Sequence, residues 1–119
     1  MLSKSYLFIE YPKCSTCKKA KSYLDTCPIS YDDRDIKAQN PSYEELKDWS
    51  IKYSIPAQKF FNTSGILYRE MHLKEKLLEM SEEEKLKLLS TNGMLIKRPL
   101  LISEEKIVIG FKQKEYPSL

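Results

Sequence analysis

The sequence predicts an α/β domain whose elements run β-α-β, then a helical block, then β-β. Three observations carry that reading. A short apolar run, YLFIE (Tyr6 to Glu10), stops at Tyr-Pro and gives way to CSTCKKAKSYL, where apolar residues recur at spacings of three and four. The middle of the chain holds two Ser-x-x-Glu signatures of the kind that open helices. Near the end, PLLI and KIVIGF flank SEEK, as antiparallel strands flank a short turn.

Taken in order, Tyr6 to Glu10 is too short for a helix and suits a buried strand. Cys17, Ala20, Leu24 and Cys27 then share one face with lysines between them, so an amphipathic helix starts near Cys14. It ends near Leu24 to Thr26, because Pro28 disfavours helical geometry at Cys27. ISYDDRDI, Ile29 to Ile36, alternates in part and reads as a second strand. Ser42 and Glu45 form a capping box for a helix with Tyr43, Leu46, Trp49 and Tyr53 on one face, which Pro56 is expected to stop. From Lys59 to Met80 a loop leads into short helices. Ser81 and Glu84 cap the next helix, which buries Leu86 and Leu89. Asn92-Gly93 is expected to end it, since glycine accepts left-handed backbone. Pro99 to Ile102 and Lys106 to Phe111 are the closing strands.

The bulk properties narrow the function classes. A chain of 119 residues, 41% hydrophobic and 31% charged, fits one globular domain and excludes disordered and fibrous classes. No apolar run approaches the roughly 18–20 residues a bilayer span needs. The N-terminal MLSKSYLFIEYPK lacks a secretory leader's long apolar core, so the expected location is the cytoplasm, with no membrane partner. A net charge of +3 is too small to argue for direct nucleic-acid binding, and the lysine runs Lys18-Lys19-x-Lys21 and Lys74 to Lys87 read as solvated helix faces.

The chemistry centres on Cys14 and Cys17. Three cysteines in a chain without a leader argue against a disulfide framework and for a catalytic or metal-binding role. A thiol reacts as its thiolate, and Cys14 falls at the N-terminal end of the first helix, where unpaired N–H groups and the positive end of the dipole favour an anion. Lys13 and Lys18 add screened positive charge. Cys17, one turn further in, is placed to close a disulfide on Cys14 once that sulfur is oxidised. A zinc site needs four ligands, and beyond the pair only Cys27 and His72 are on offer, in no second C-x-x-C or H-x-x-x-H arrangement. Metal is therefore not expected. An incidental pair is the blander alternative. Cys27, on the face of Ala20 and Leu24, reads as core packing, and the lone His72 as a surface residue. Arg98, just before Pro99, is either a bidentate oxyanion clamp or a surface arginine at a strand edge. Pro99 can take either peptide isomer.

YPKCSTCKKAKSYL, RDI at Arg34 to Ile36, FFNTSGILYRE at Phe60 to Glu70, LIKRPLLI and VIGF together resemble the arsenate-reductase-like (ArsC) family, and within it the Spx/MgsR-related branch. The resemblance implies a single thioredoxin-like domain over residues 1–119 with a mixed four-stranded sheet, and a helical block inserted over about residues 40–92. It implies that Cys14 is the reactive cysteine, that Arg98 stands near it, and that Pro99 is the cis proline bordering the site, with Lys13 and Arg98 facing an anion. The implied activity is thiol–disulfide oxidoreduction, with no bound cofactor, glutathione as co-substrate, and the glutaredoxin or thioredoxin system as partner to a monomer. Arsenate reductases of this family hold the oxyanion with several arginines. Only Arg34, Arg69 and Arg98 are present here, and only Arg98 is assigned to the anion. The second cysteine is similar to the redox switch of Spx-like regulators, which implies an alternative: a transcriptional regulator binding the C-terminal domain of the RNA polymerase α subunit.

Overall fold

The computed structural model describes residues 5–117, which fall into two compact units. One joins the chain up to Asp35 with the stretch from Arg98 onward; the other is Ile36–Lys97.

The first unit holds strand β1 (Ser5–Glu10), helix α1 (Ser15–Leu24) and strands β2 (Ser30–Asp35), β3 (Leu100–Ile102) and β4 (Ile107–Ile109). They form a mixed four-stranded sheet in the order β2-β1-β3-β4. β1 runs parallel to β2, with Ser5 opposite Ser30 and Glu10 opposite Asp35. It runs antiparallel to β3, with Phe8 opposite Leu101, and β3 pairs antiparallel with β4. Parallel neighbours need a crossover, and α1 supplies it.

The α1 stripe is the one its spacing predicts: Cys17, Ala20 and Leu24 are all buried. Ala20 and Leu24 pack with Phe8, Leu101, Val108 and Tyr116, and Tyr6, Tyr23, Ile29, Tyr31 and Phe111 close around that cluster. The closing strands are shorter than their apolar runs. Ser103 N–H bonds the Lys106 carbonyl at 2.9 Å across the turn. Gly110 ends β4 in left-handed backbone, φ 84°, and its N–H reaches the Pro99 carbonyl at 2.8 Å. A side chain would be strained at that φ.

The second unit contains α2 (Tyr43–Lys52), α3 (Ile66–Glu70), α4 (Leu73–Lys76) and α5 (Glu82–Leu89), with short 3₁₀ turns at Ala57–Phe60, Leu77–Glu79 and Gly93–Leu95. Both capping boxes form. Ser42 Oγ accepts from Glu45 N–H at 3.1 Å while the Glu45 carboxylate accepts from Ser42 N–H at 3.0 Å. Ser81 and Glu84 repeat this at 3.1 and 2.8 Å. The Glu82 carboxylate also accepts from Ala57 N–H at 2.9 Å, tying α5 to the turn that follows α2.

Two helix ends differ from expectation. α2 stops before Pro56: Ser54 turns left-handed at φ 54°, and the Ser54 and Ile55 amides bond back to the Ile51 and Ser50 carbonyls. The C-terminal carbonyls are thus satisfied by the chain reversal itself, and Pro56 only shapes the turn that follows. At Asn92-Gly93 the glycine is not left-handed. Asn92 instead caps the Gly93–Leu95 turn, its side-chain oxygen accepting from Met94 N–H at 2.8 Å. Gly93 serves close approach, since a Cβ there would lie 2.5 Å from the Ile36 carbonyl oxygen.

Candidate active site at the strand–helix turn

Between β1 and α1 the chain turns tightly, with Cys14 N–H donating to the Tyr11 carbonyl at 2.9 Å. Cys14 is the N-cap of α1, in extended backbone at φ −86° and ψ 126°, and its carbonyl accepts the first helical bond, from Lys18 N–H at 3.1 Å. Cys14 is half-buried, whereas Cys17 is fully buried, and both are free thiols.

The two thiols differ sharply in acidity. Burial pushes Cys14 up, but the Cys17 N–H, the Cys17 thiol, the Arg98 guanidinium and the Thr16 N–H together more than offset it, leaving the thiol below its ordinary range. The neutral sulfur makes no formed cap hydrogen bond. A thiol sulfur is a weak acceptor and a thiolate a strong one, so those amides act chiefly on the anion. Cys17 goes the other way: burial, and its hydrogen bond to an ionised Cys14, push it up to about 12, although Tyr11 N–H donates to its sulfur at 3.5 Å. The site therefore pairs the more acidic sulfur, at the helix terminus, with a buried thiol that holds its proton at neutral pH.

Arg98 stands with its guanidinium carbon 5.5 Å from the centroid of the Tyr11 ring, so the turn that carries Cys14 also carries the aromatic face on which the arginine rests. The Arg98–Pro99 peptide bond is cis, and Pro99 is buried. Lys13 and Lys18 are exposed. Of the residues singled out in the sequence, the structure therefore brings together Cys14, Cys17 and Arg98. Cys27 is buried, with its sulfur 3.4 Å from both the Tyr23 and Pro117 carbonyl oxygens, and His72 is exposed. Among the described residues no group of three or more His, Cys, Asp or Glu side chains is placed to hold a metal ion. No helix among them is long and apolar enough to cross a membrane.

Three residues escape the sequence reading. Tyr11 supplies both an N–H to Cys17 and a ring to Arg98, and its only signal is its place beside Pro12. Glu10, the last residue of β1, is 4% exposed. Its carboxyl is pushed up to about 7 by burial and by a hydrogen bond to Asp33, against the pull of Lys21. Asp33 is held below its usual range despite burial, by the hydrogen bonds from Glu10 and Lys21. Lys21 reaches Asp33 at 2.8 Å and the Tyr31 hydroxyl at 3.0 Å. A carboxylate closing an apolar run is a legible sign of something unusual, but not of what pairs with it. The third is Tyr116, 5% exposed within the core of the sheet.

A model of the ArsC family matches residues 9–119. The uncharacterised protein YusI of Bacillus subtilis is 50% identical over 94% of this chain and 95% of its own. The regulatory protein MgsR of the same organism is 28% identical over 96% and 89%, and the global transcriptional regulator Spx of Enterococcus faecalis 27% identical over 87% and 77%. Among solved structures, an ArsC family related protein from Bacteroides fragilis superposes with a TM-score of 0.88 at 50% identity, covering 92% of each chain. A possible arsenate reductase from Streptococcus mutans gives a TM-score of 0.84 at 46% identity, over 93% and 94%. With the family match spanning nearly the whole sequence and the mixed sheet superposing on structures of that family, the chain belongs to the ArsC family and has its thioredoxin-like fold.

Proposed function

We propose that the protein is a cytoplasmic thiol–disulfide oxidoreductase in which Cys14 is the nucleophile, Cys17 the resolving thiol and Arg98 the cation that favours the Cys14 thiolate. The observation that carries this reading is the placement of two free thiols one helical turn apart at the start of α1, Cys14 half-buried at the N-cap and Cys17 buried behind it, with Arg98 resting on the Tyr11 ring of the same turn. Cys14 as thiolate attacks a partner disulfide and expels one partner sulfur as a thiol; Cys17 then bonds to Cys14 and expels the second, leaving the Cys14–Cys17 disulfide and a reduced partner. Glutathione, or a thiol of the glutaredoxin or thioredoxin system, then restores the dithiol. The reading needs no bound cofactor, no nucleic acid and no second copy of the chain. In this reading Lys13 and Pro99, the chain neighbours of Cys14 and Arg98, are assigned with Arg98 to the substrate anion.

The test is a titration of the Cys14 thiolate absorbance in wild type and Cys17→Ser. A midpoint at or above the free-cysteine value of about 8.5 in both would end the activated-nucleophile claim. Arsenate with glutathione and glutaredoxin is expected to give weak turnover, because one assigned arginine is a thin clamp for a multiply charged oxyanion.

The likeness to MgsR and Spx supports a second reading, a redox-switched regulator that binds RNA polymerase through its α subunit. Binding of the C-terminal domain of that polymerase chain by the oxidised or the reduced protein alone, without multiple turnover of any disulfide, would favour it.

A further inference from the structure

In the redox reading above, on which this inference rests, Arg98 favours the Cys14 thiolate only while its guanidinium stays at the turn. A long side chain with many rotamers does not stay in place by default, and a cation that swings out into water loses most of its effect to screening. Arg98 leaves the chain just before β3, far in sequence from the cysteine it serves. Some other group must hold it.

Tyr11 is placed to do so. It opens the tight turn between β1 and α1: its carbonyl accepts from Cys14 N–H at 2.9 Å, and Pro12 and Lys13 fill the two positions between. Proline suits the second position of such a turn and confines the residue before it to extended backbone, so the four residues that set Cys14 also set the direction of the Tyr11 side chain. The same residue reaches the second thiol, its N–H donating to Cys17 Sγ at 3.5 Å. Its ring meets the Arg98 guanidinium, whose carbon lies 5.5 Å from the ring centroid, inside the roughly 6 Å range of a cation–π contact. Both residues are half-buried and Arg98 Nε is fully buried, so the contact is partly withdrawn from water, where such contacts are stronger. Were the ring there only to cover the turn, leucine would serve as well; a guanidinium is attracted to an aromatic face and not to an aliphatic one.

We propose that Tyr11 is a positioning residue of this site, its ring the platform that holds the Arg98 guanidinium against the turn carrying Cys14. The side chain acts through Arg98, and its hydroxyl takes no part.

The experiment has two arms. In the first, the Cys14 thiolate absorbance is titrated against pH in wild type, Tyr11→Phe, Tyr11→Leu, Arg98→Ala and the double variant Tyr11→Leu/Arg98→Ala. Tyr11→Phe, which keeps the ring, is expected to follow wild type. Tyr11→Leu is expected to titrate about half a unit higher, a threefold change in the acid constant, and to add nothing once Arg98 is alanine. In the second arm, proton NMR reads the Arg98 δ protons, which the ring shields in wild type and Tyr11→Phe and which are expected to move downfield in Tyr11→Leu. An equal rise from Tyr11→Leu with and without Arg98, a Phe variant that behaves as the Leu variant, or Arg98 δ protons at the same position in all chains would each overturn the proposal. A wild-type midpoint at the free-cysteine value would instead sink the redox reading, and the δ-proton shift would still decide whether the ring holds the guanidinium.

Discussion

Glu10 and Asp33 hydrogen-bond each other across the parallel pair of β1 and β2, with the proton on Glu10 and the charge on Asp33. The unfolded Glu10 ionises near 4.5 and the folded one near 7. Between those values the native state holds a proton that the unfolded chain has lost. The contribution is therefore fully present below about pH 4.5 and is lost as pH rises through 7. Glu10→Gln keeps a donor to Asp33 without the titration. It is expected to be more stable than wild type by about 1–3 kcal/mol at pH 8 and close to it at pH 5. Urea unfolding at the two pH values checks this, and parallel pH dependences would refute it.

Removing the Arg98 charge is expected to raise the Cys14 midpoint. Arg98→Ala should slow alkylation of Cys14 near neutral pH severalfold, with Arg98→Lys between it and wild type, because a lysine keeps the charge but not the planar contact with the Tyr11 ring. Iodoacetamide rates against pH measure it. Equal rates in all three proteins would show that the amides of α1 suffice.

Gly93→Ala and Gly65→Ala separate two kinds of close approach. At Gly93 the added Cβ meets backbone, the Ile36 carbonyl oxygen at 2.5 Å, which moves only with the chain. At Gly65 the nearest atom, at 2.9 Å, is the end of the Asn62 side chain. The first substitution is expected to cost about 1–3 kcal/mol and the second clearly less, read as the difference in urea midpoints. Equal losses would show that the Asn62 amide cannot yield.

Ser42→Ala and Ser81→Ala each delete one half of a reciprocal cap. Each is expected to cost about 1 kcal/mol, and the double variant to be near their sum, since the caps start different helices. Thermal melts of the single and double variants decide it.

Local chemistry explains which parts of this architecture were legible from sequence. The strand and helix around Cys14 and both capping boxes rest on residues within a few positions of each other, so spacing alone exposes them. Arg98 lies far along the chain from Cys14, and motif resemblance rather than periodicity brought the two together. Glu10 was not legible as a partner, because its role depends on what the neighbouring strand places beside it. Tyr116 lies beyond the last strand the sequence predicts, yet it packs against α1 and β1. Asn92-Gly93 shows the other failure: the dipeptide marks a turn correctly, but glycine can be required by a crowded carbonyl as well as by left-handed backbone.

The strand that ends the sheet beside β1 reads SYDDRD, a row of charge along a border where other sheets would invite a second chain to add itself. At the opposite border β4 is only three residues long and is closed off by Gly110. Neither margin offers a long, bare ladder to a newcomer, so partial opening of the molecule in a crowded cell has little template from which to seed fibres.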